Sequence, residues 1–292
     1  MILGSFYFKQ KAKEALKGNW QTALLITFFS GLFMTVTSLL ESAAFPDVLA
    51  YVGSGSFDRL YAEWAKIPSG TWTAFYILSL LSFLLSPVLA VGCNHYFVRR
   101  LKGEELGFAG LFSRRRCFLK ALWLYVYMGV RVFLWSLLLI VPGVIAAIRY
   151  SMAPYYLAED PGLSAGEAIE KSKNAMKDLK LSYFVLMLSF YGWIILAMIA
   201  QMMLASISMI VALVAAQFMQ LAISTYMNGA CASFYLTVSS PEGMDAAKSE
   251  MSSRLQQMGM DGAPYDGGRR GDRPHDGAEE GRGEDSGKSD DN

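Results

Sequence analysis

Polar and apolar positions alternate along this chain on two scales. On the short scale, residues 5–17 place Phe8, Ala12, Ala15 and Leu16 on one helical face and Lys9, Lys11, Lys13 and Lys17 around the rest. Residues 164–180 do the same, with Ala165, Ala168, Ile169, Ser172, Met176 and Leu179 at helical spacing and Lys171, Lys173, Lys177 and Lys180 on the other faces. Recurrence at three and four residues predicts an amphipathic helix in each place. Lysines opposite an apolar face are how a helix lies on an anionic leaflet. On the long scale, apolar runs cover 21–40, 72–98, 118–141 and 181–238. A crossing needs about 20 residues for a hydrocarbon core of roughly 30 Å, so the last run holds two spans, with a weakly marked turn near 201–208.

The breaks between these runs set the count. Pro142-Gly143 interrupts the third run, and 144–158 returns as a shorter apolar helix of about 22 Å at 1.5 Å per residue. A single broken span over 118–158 is the alternative; the hairpin is the reading that returns 164–180 to the side of the other lysines. Asp160-Pro161-Gly162 follows as a break, and Ser164 with Glu167 forms a capping-box pattern. Pro87 lies inside the second span, where it predicts a kink. The fold class is therefore all-α, a polytopic membrane helix bundle of about six spans with amphipathic cytoplasmic helices.

Charge orients the bundle. Loop 41–71 carries Glu41, Asp47, Asp58 and Glu63 against only Arg59 and Lys66, whereas 99–120 carries Arg99, Arg100, Lys102, Arg114, Arg115, Arg116 and Lys120. The Lys/Arg asymmetry places the first outside and the second in the cytoplasm, and with six spans both termini are cytoplasmic. A cleaved signal peptide is the competing reading of the N-terminal region; its apolar run is too long and Glu41-Ser42-Ala43 is a poor cleavage site. Each of the segments 5–17, 104–120 and 164–180 leads into an apolar hairpin, and KEALKGNW at 13–20 aligns with KNAMKDLK at 173–180. This is a triplication or the convergence that surface helices entering spans require.

Composition agrees with the class. At 53% hydrophobic and 17% charged the chain is too apolar for a soluble protein, for which about 25% charged is usual. Residues 241–292 carry thirteen acidic and seven basic side chains, a net of −6, which leaves +7 on 1–240. The chain thus divides into an integral membrane domain, 1–240, and an acidic, glycine-rich cytoplasmic tail, 241–292, that cannot build a core and is expected to be disordered, with a short helix allowed at about 242–258. Its acidity argues against nucleic acid. Cys93, Cys117 and Cys231 are scattered and read as free thiols.

Candidate chemistry is sparse. No P-loop, H-E-x-x-H or G-x-S-x-G is present, and no cofactor or metal is implied. His95 has no second histidine or carboxylate near it and reads as packed or interfacial. Glu159 and Asp160 adjoin, but successive helical residues do not face each other, so they read as an acidic hinge rather than a catalytic pair. Trp123, Tyr125, Tyr127, Trp135, Tyr150, Tyr155, Tyr156 and Trp193 read mostly as interface belts. Arg131 and Arg149 stand out. Each lies within a span, where an unpaired arginine costs at least about 2.5–3.5 kcal/mol, and no Asp or Glu occurs in any span. They either face a hydrated cavity suited to a small anion or a headgroup, or are satisfied by hydroxyls, carbonyls or the interface.

The run 136–193 contains Val141-Pro142-Gly143, Arg149-Tyr150-Ser151-Met152, Asp160-Pro161, Ala168-Ile169 with Ser172, and Leu188-Ser189-Phe190 with Trp193. In these it resembles a family of bacterial multi-spanning membrane proteins catalogued only as a domain of unknown function. KEALKGNW and the late Ala232-Ser233-Phe234-Tyr235 extend the resemblance over most of 8–236; the last hairpin lacks the family's glycine-rich turn. The resemblance implies an inner-membrane protein without an assigned activity, distantly like the membrane domains of some glycerophosphodiester phosphodiesterases, and transfers no catalytic residue. The expected function is a non-enzymatic membrane accessory or scaffold protein. It would contact anionic lipid on the cytoplasmic side through Lys171, Lys173 and Lys177, or a membrane-protein partner. The alternative is a small transporter with an anion- or headgroup-binding cavity at Arg131 and Arg149. A transporter shows a cavity reaching the midplane, a scaffold a close-packed bundle.

Overall fold

The computed structural model describes residues 4–46 and 48–257, and among these there is no strand. The chain begins with α1 (Ser5–Leu16), which ends at Gly18, in the left-handed conformation (φ +83°) that glycine adopts without cost. Then come α2 (Trp20–Ala44), two short helices α3 (Val48–Gly53) and α4 (Phe57–Ala65) within the acidic loop, and α5 (Ser69–Leu101). Two 3-10 turns, Phe108–Phe112 and Arg115–Cys117, lead into α6 (Phe118–Leu138), α7 (Ile140–Tyr150), α8 (Ala153–Glu159), α9 (Ala165–Ala175), α10 (Lys180–Ala205), α11 (Met209–Val238) and α12 (Pro241–Gln257).

Helices α2, α5, α6, α10 and α11 are each long and apolar enough to cross a bilayer. No sixth helix of that length is present among the described residues. The expected sixth crossing falls on α7 and α8, neither of which spans alone: the 11 residues of α7 reach only about 16 Å. The turn that starts it lies at Leu139, in extended conformation (φ −164°, ψ 149°), and not at Pro142-Gly143. Pro142 stands in the first turn of α7, where a missing N–H costs nothing. Gly143 is buried against Ser136, whose Oγ occupies the space a Cβ would need, so the glycine lets α7 fold back along α6. The chain reverses in the last hairpin between Ala205 and Met209, inside the expected region. Pro87 leaves α5 continuous; beside it Ser86 Oγ donates to the carbonyl of Ser82 at 2.5 Å.

Three helix pairs, α2 with α5, α6 with α7, and α10 with α11, form the main packing, and each is preceded by a basic segment. The middle segment differs from the other two. Gly103 (φ +85°) closes α5, with Glu104 N–H reaching back to the Arg99 carbonyl at 3.1 Å, and the chain then makes tight turns instead of a helix. Leu111, fully buried, is pressed onto α5 at Gly92, where any Cβ would strike its carbonyl oxygen.

Burial is concentrated at the end of the bundle that carries these basic segments. Phe8, Leu16, Ile26, Tyr96, Phe97, Leu124, Met152, Phe190, Phe234 and Tyr235 are all essentially inaccessible. At the opposite end Met34, Ile77, Leu80, Leu137, Ile140, Met202 and Ile210 are exposed, as lipid-facing side chains should be. The two amphipathic helices belong to the buried end. Helix α1 seats Phe8 against Phe234, with ring centroids 4.9 Å apart, while Tyr226 OH donates to the Lys9 carbonyl at 3.0 Å. Helix α9 seats Ala168 and Ile169 against α6, α7 and α8, and Ser172 Oγ donates to the Arg149 carbonyl at 2.7 Å. The apolar faces expected to enter a leaflet are therefore covered by protein, because span ends close at hand offer them dense packing. Lys11, Lys13, Lys17, Lys171 and Lys177 remain exposed, whereas Lys9 turns inward, donating to the Ser189 carbonyl at 3.2 Å. Helix α12 occupies the place where a short helix is allowed in the tail; the expectation of disorder over 258–292 falls outside the described residues.

This path puts α3 and α4 at one end of the bundle and α9 at the other. In a background lacking the three buried cysteines, single cysteines at exposed Ser54 and Asn174 are expected to react with an impermeant maleimide from opposite sides of the membrane. Labelling of both from one side contradicts the hairpin at Leu139.

Candidate functional site

The basic end is fastened by one carboxylate. Helix α8 delivers Glu159 to the end of the crossing, where it pairs with Lys102 beyond α5 and accepts a hydrogen bond from Tyr235 OH of α11 at 2.5 Å. Tyr235 is 1% exposed, stacked on Tyr155 at 5.4 Å and edge-on to Tyr156 at 5.0 Å. Burial raises the Glu159 carboxyl, but the Lys102 ammonium and the Tyr235 hydroxyl outweigh it and hold the group below its ordinary 4.5. Asp160 takes a different partner, accepting from the Gly162 N–H at 2.8 Å. The two adjacent carboxylates thus make a latch and a turn. Lys120 donates to the carbonyls of Pro161 and Gly162 at 2.8 and 3.0 Å, and the capping box is complete, with Ser164 N–H to Glu167 at 2.7 Å and Glu167 N–H to Ser164 Oγ at 3.3 Å. That hydrogen bonding keeps the Glu167 carboxyl lowered as well.

A second fastening holds the 3-10 segment. Arg114 donates from its guanidinium to His95 Nδ1 at 3.1 Å. A guanidinium only donates, so this nitrogen is the acceptor and the imidazole is neutral with its proton on Nε2. His95 is thus buried and engaged by a cation, unlike a free base.

The intramembrane arginines are placed differently from each other. Arg131 donates to Tyr127 OH one turn back on α6, and its guanidinium lies 4.4 Å from the centroid of the same ring. Arg149 is half-buried at the end of α7, its carbonyl held by Ser172. Neither has a carboxylate partner among the described residues. Gly143 against Ser136 sets the register of the hairpin. Five residues back from Ser136 and six on from Gly143, at about 1.5 Å each, bring Arg131 and Arg149 to nearly the same height.

Two cavities open at the basic end, and neither takes in these arginines. One, of about 430 Å³, is bordered by Lys102, Glu159, Asp160, Lys171 and Tyr235. The other, of about 560 Å³, lies among α1, the end of α5, the end of α11 and the start of α12. Lys171 and Lys177 are exposed, and Lys173 stands 6.0 Å from the Tyr150 ring centroid. Of the aromatic residues read as interface belts, Trp123, Trp135 and Trp193 are exposed, whereas Tyr150 and Tyr155 belong to the core. Among the described residues no group of three or more His, Cys, Asp or Glu is arranged to hold a metal.

Sequence reasoning missed Lys102, Lys120, Arg114 and Tyr235 as partners. The Glu159 contacts join residues 57 and 76 positions apart, which no period along the chain reveals.

Residues 137–242 match the model of a family described as protein of unknown function (DUF975). Nearly all of the stretch 136–193 on which the resemblance to a family of unknown function rests lies within that match. No curated protein and no solved structure matches the chain, so the likeness to phosphodiesterase membrane domains gains no support.

Replacing Glu159 with glutamine is expected to destabilise the fold by about 1–2 kcal/mol at pH 7, the size of a lost charge-assisted hydrogen bond. Because the folded carboxyl titrates below 4.5, its contribution is complete above that pH and is lost as pH falls through the lowered value. Thermal unfolding in detergent checks this. Wild type and Glu159→Gln should differ at pH 7 and converge as pH falls below 4.5 and through the lowered value; equal midpoints at pH 7 contradict the latch.

Proposed function

We propose that this integral membrane protein is a non-enzymatic accessory or scaffold protein of a bacterial cytoplasmic membrane, with both termini inside and its basic end on the cytoplasmic face. The observation that carries this reading is the closure of that end. Helices α1 and α9 are seated on the spans by their apolar faces, Glu159 fastens α5, α8 and α11, and Lys171 and Lys177 project outward. Such a face offers fixed positive charge to anionic headgroups or to an acidic partner, at about 1 kcal/mol for each lysine near the surface. The two cavities bordered by Lys102 and by Arg100 open beside this charge.

Lys171→Glu, Lys173→Glu and Lys177→Glu combined are expected to reduce, at least several-fold, the phosphatidylglycerol that co-purifies with the protein from mixed phosphatidylglycerol and phosphatidylcholine bilayers, measured by mass spectrometry. Unchanged retention contradicts lipid contact through α9. The transporter reading draws on the similar height of Arg131 and Arg149 in the α6–α7 hairpin. Its distinguishing result is efflux of entrapped phosphate from proteoliposomes that Arg131→Leu or Arg149→Leu abolishes; the accessory reading expects the leak of protein-free vesicles.

A further inference from the structure

The larger cavity has a lining suited to one class of ligand. Arg100 and Lys11 bring two positive charges to it against one carboxylate, Glu14. The Arg100 side chain is fixed by donation from Nε to the Ala15 carbonyl at 3.0 Å, and its nearest carboxylate, on exposed Glu105, stands at 4.0 Å. Lys11 has no carboxylate within 4.0 Å among the described residues; its ammonium sits over the Tyr7 ring at 4.7 Å. The third group is Ser233. On the same helix Thr225 returns its hydroxyl to the Leu221 carbonyl, and Thr237 returns its own to that of Ser233. Ser233 does not: its residue is 2% exposed, and its Oγ has no hydrogen-bond partner among the described residues.

We propose that this cavity binds a phosphate ester, with Arg100 and Lys11 supplying charge and the Ser233 hydroxyl a neutral donor. A guanidinium fork matches two phosphate oxygens, and an ammonium adds a point charge whose direction is free. Ser233 borders the cavity with its Oγ just beneath the wall, so the hydroxyl gains an acceptor where an anion oxygen presses into that wall. The volume of about 560 Å³ accommodates a phosphate together with a glycerol-sized substituent. The tight approach of Gly243 to the carbonyls of Leu236 and Thr237, 2.8 and 3.0 Å from where a Cβ would stand, keeps the start of α12 close over the end of α11 at the rim. The phosphate belongs either to a lipid headgroup at the leaflet surface or to a soluble ester. The inference rests on the accessory reading only in placing the cavity at headgroup level.

The test is titration calorimetry of the full-length protein in a neutral maltoside detergent, with dihexanoyl phosphatidylglycerol in one arm and glycerol 3-phosphate in the other. Saturable binding of one ligand per chain is expected in at least one arm, and the arm identifies the source. Lys11→Gln should weaken it about tenfold, and Glu14→Gln should strengthen it. Ser233→Ala is the discriminating variant: it should weaken binding several-fold while leaving the unliganded melting temperature unchanged or higher, since it removes an unpaired donor. No saturable binding in either arm, or binding indifferent to Lys11→Gln and Ser233→Ala, overturns the site. Because these variants leave Lys171, Lys173 and Lys177 intact, the cavity fails independently of the lipid contact assigned to α9.

Discussion

Lipid tails are as apolar as leucine, so burying leucine between spans gains little from the hydrophobic effect, and this bundle is ordered where its helices leave the apolar layer. At that end water is present, apolar faces gain by being covered, and charges find partners. The consequences are visible in the distribution of burial. The basic end holds Phe8, Leu16, Tyr96, Phe97, Met152 and Phe234 in one core, while the opposite ends of α6, α10 and α11 keep large apolar side chains on the outside. Glu159 is the polar counterpart of that core. Its two partners come from the ends of α5 and α11.

Long apolar runs, the basic clusters and the capping box at Ser164 are local properties, and all of them could be read directly from the order of residues. Five of the six expected crossings appear as single long helices for the same reason. Pro142 misled about the turn because proline marks the start of a helix as readily as its end, and only the seating of Gly143 on Ser136 distinguishes the two. The middle basic segment leads into its hairpin as expected but without a helix of its own. Its charges resemble those of α1 and α9, but Gly103, Gly107 and Gly110 favour turns, and Leu111 anchors the segment from a single point. Least visible were the pairs Glu159–Tyr235, Glu159–Lys102 and Arg114–His95, in which each partner alone looks like an ordinary interfacial residue.

Seating α1 and α9 on the spans changes what these helices can do. An amphipathic helix that binds a leaflet through its apolar face senses lipid packing and can detach. One whose apolar face is already covered presents charge at a fixed place. The Arg131 side chain shows the same economy inside the apolar layer, being satisfied by Tyr127 on its own helix without an acidic partner.

Hydrogen exchange of the full-length protein in phosphatidylcholine nanodiscs, which contain no anionic lipid, tests the seating most directly. If α1 and α9 are held by the spans, the amides within 9–16 and 169–175 should exchange as slowly as those in the buried C-terminal half of α5. If they exchange at the rate of frayed surface helices and slow only when phosphatidylglycerol is added, the helices are held by lipid and the account is wrong.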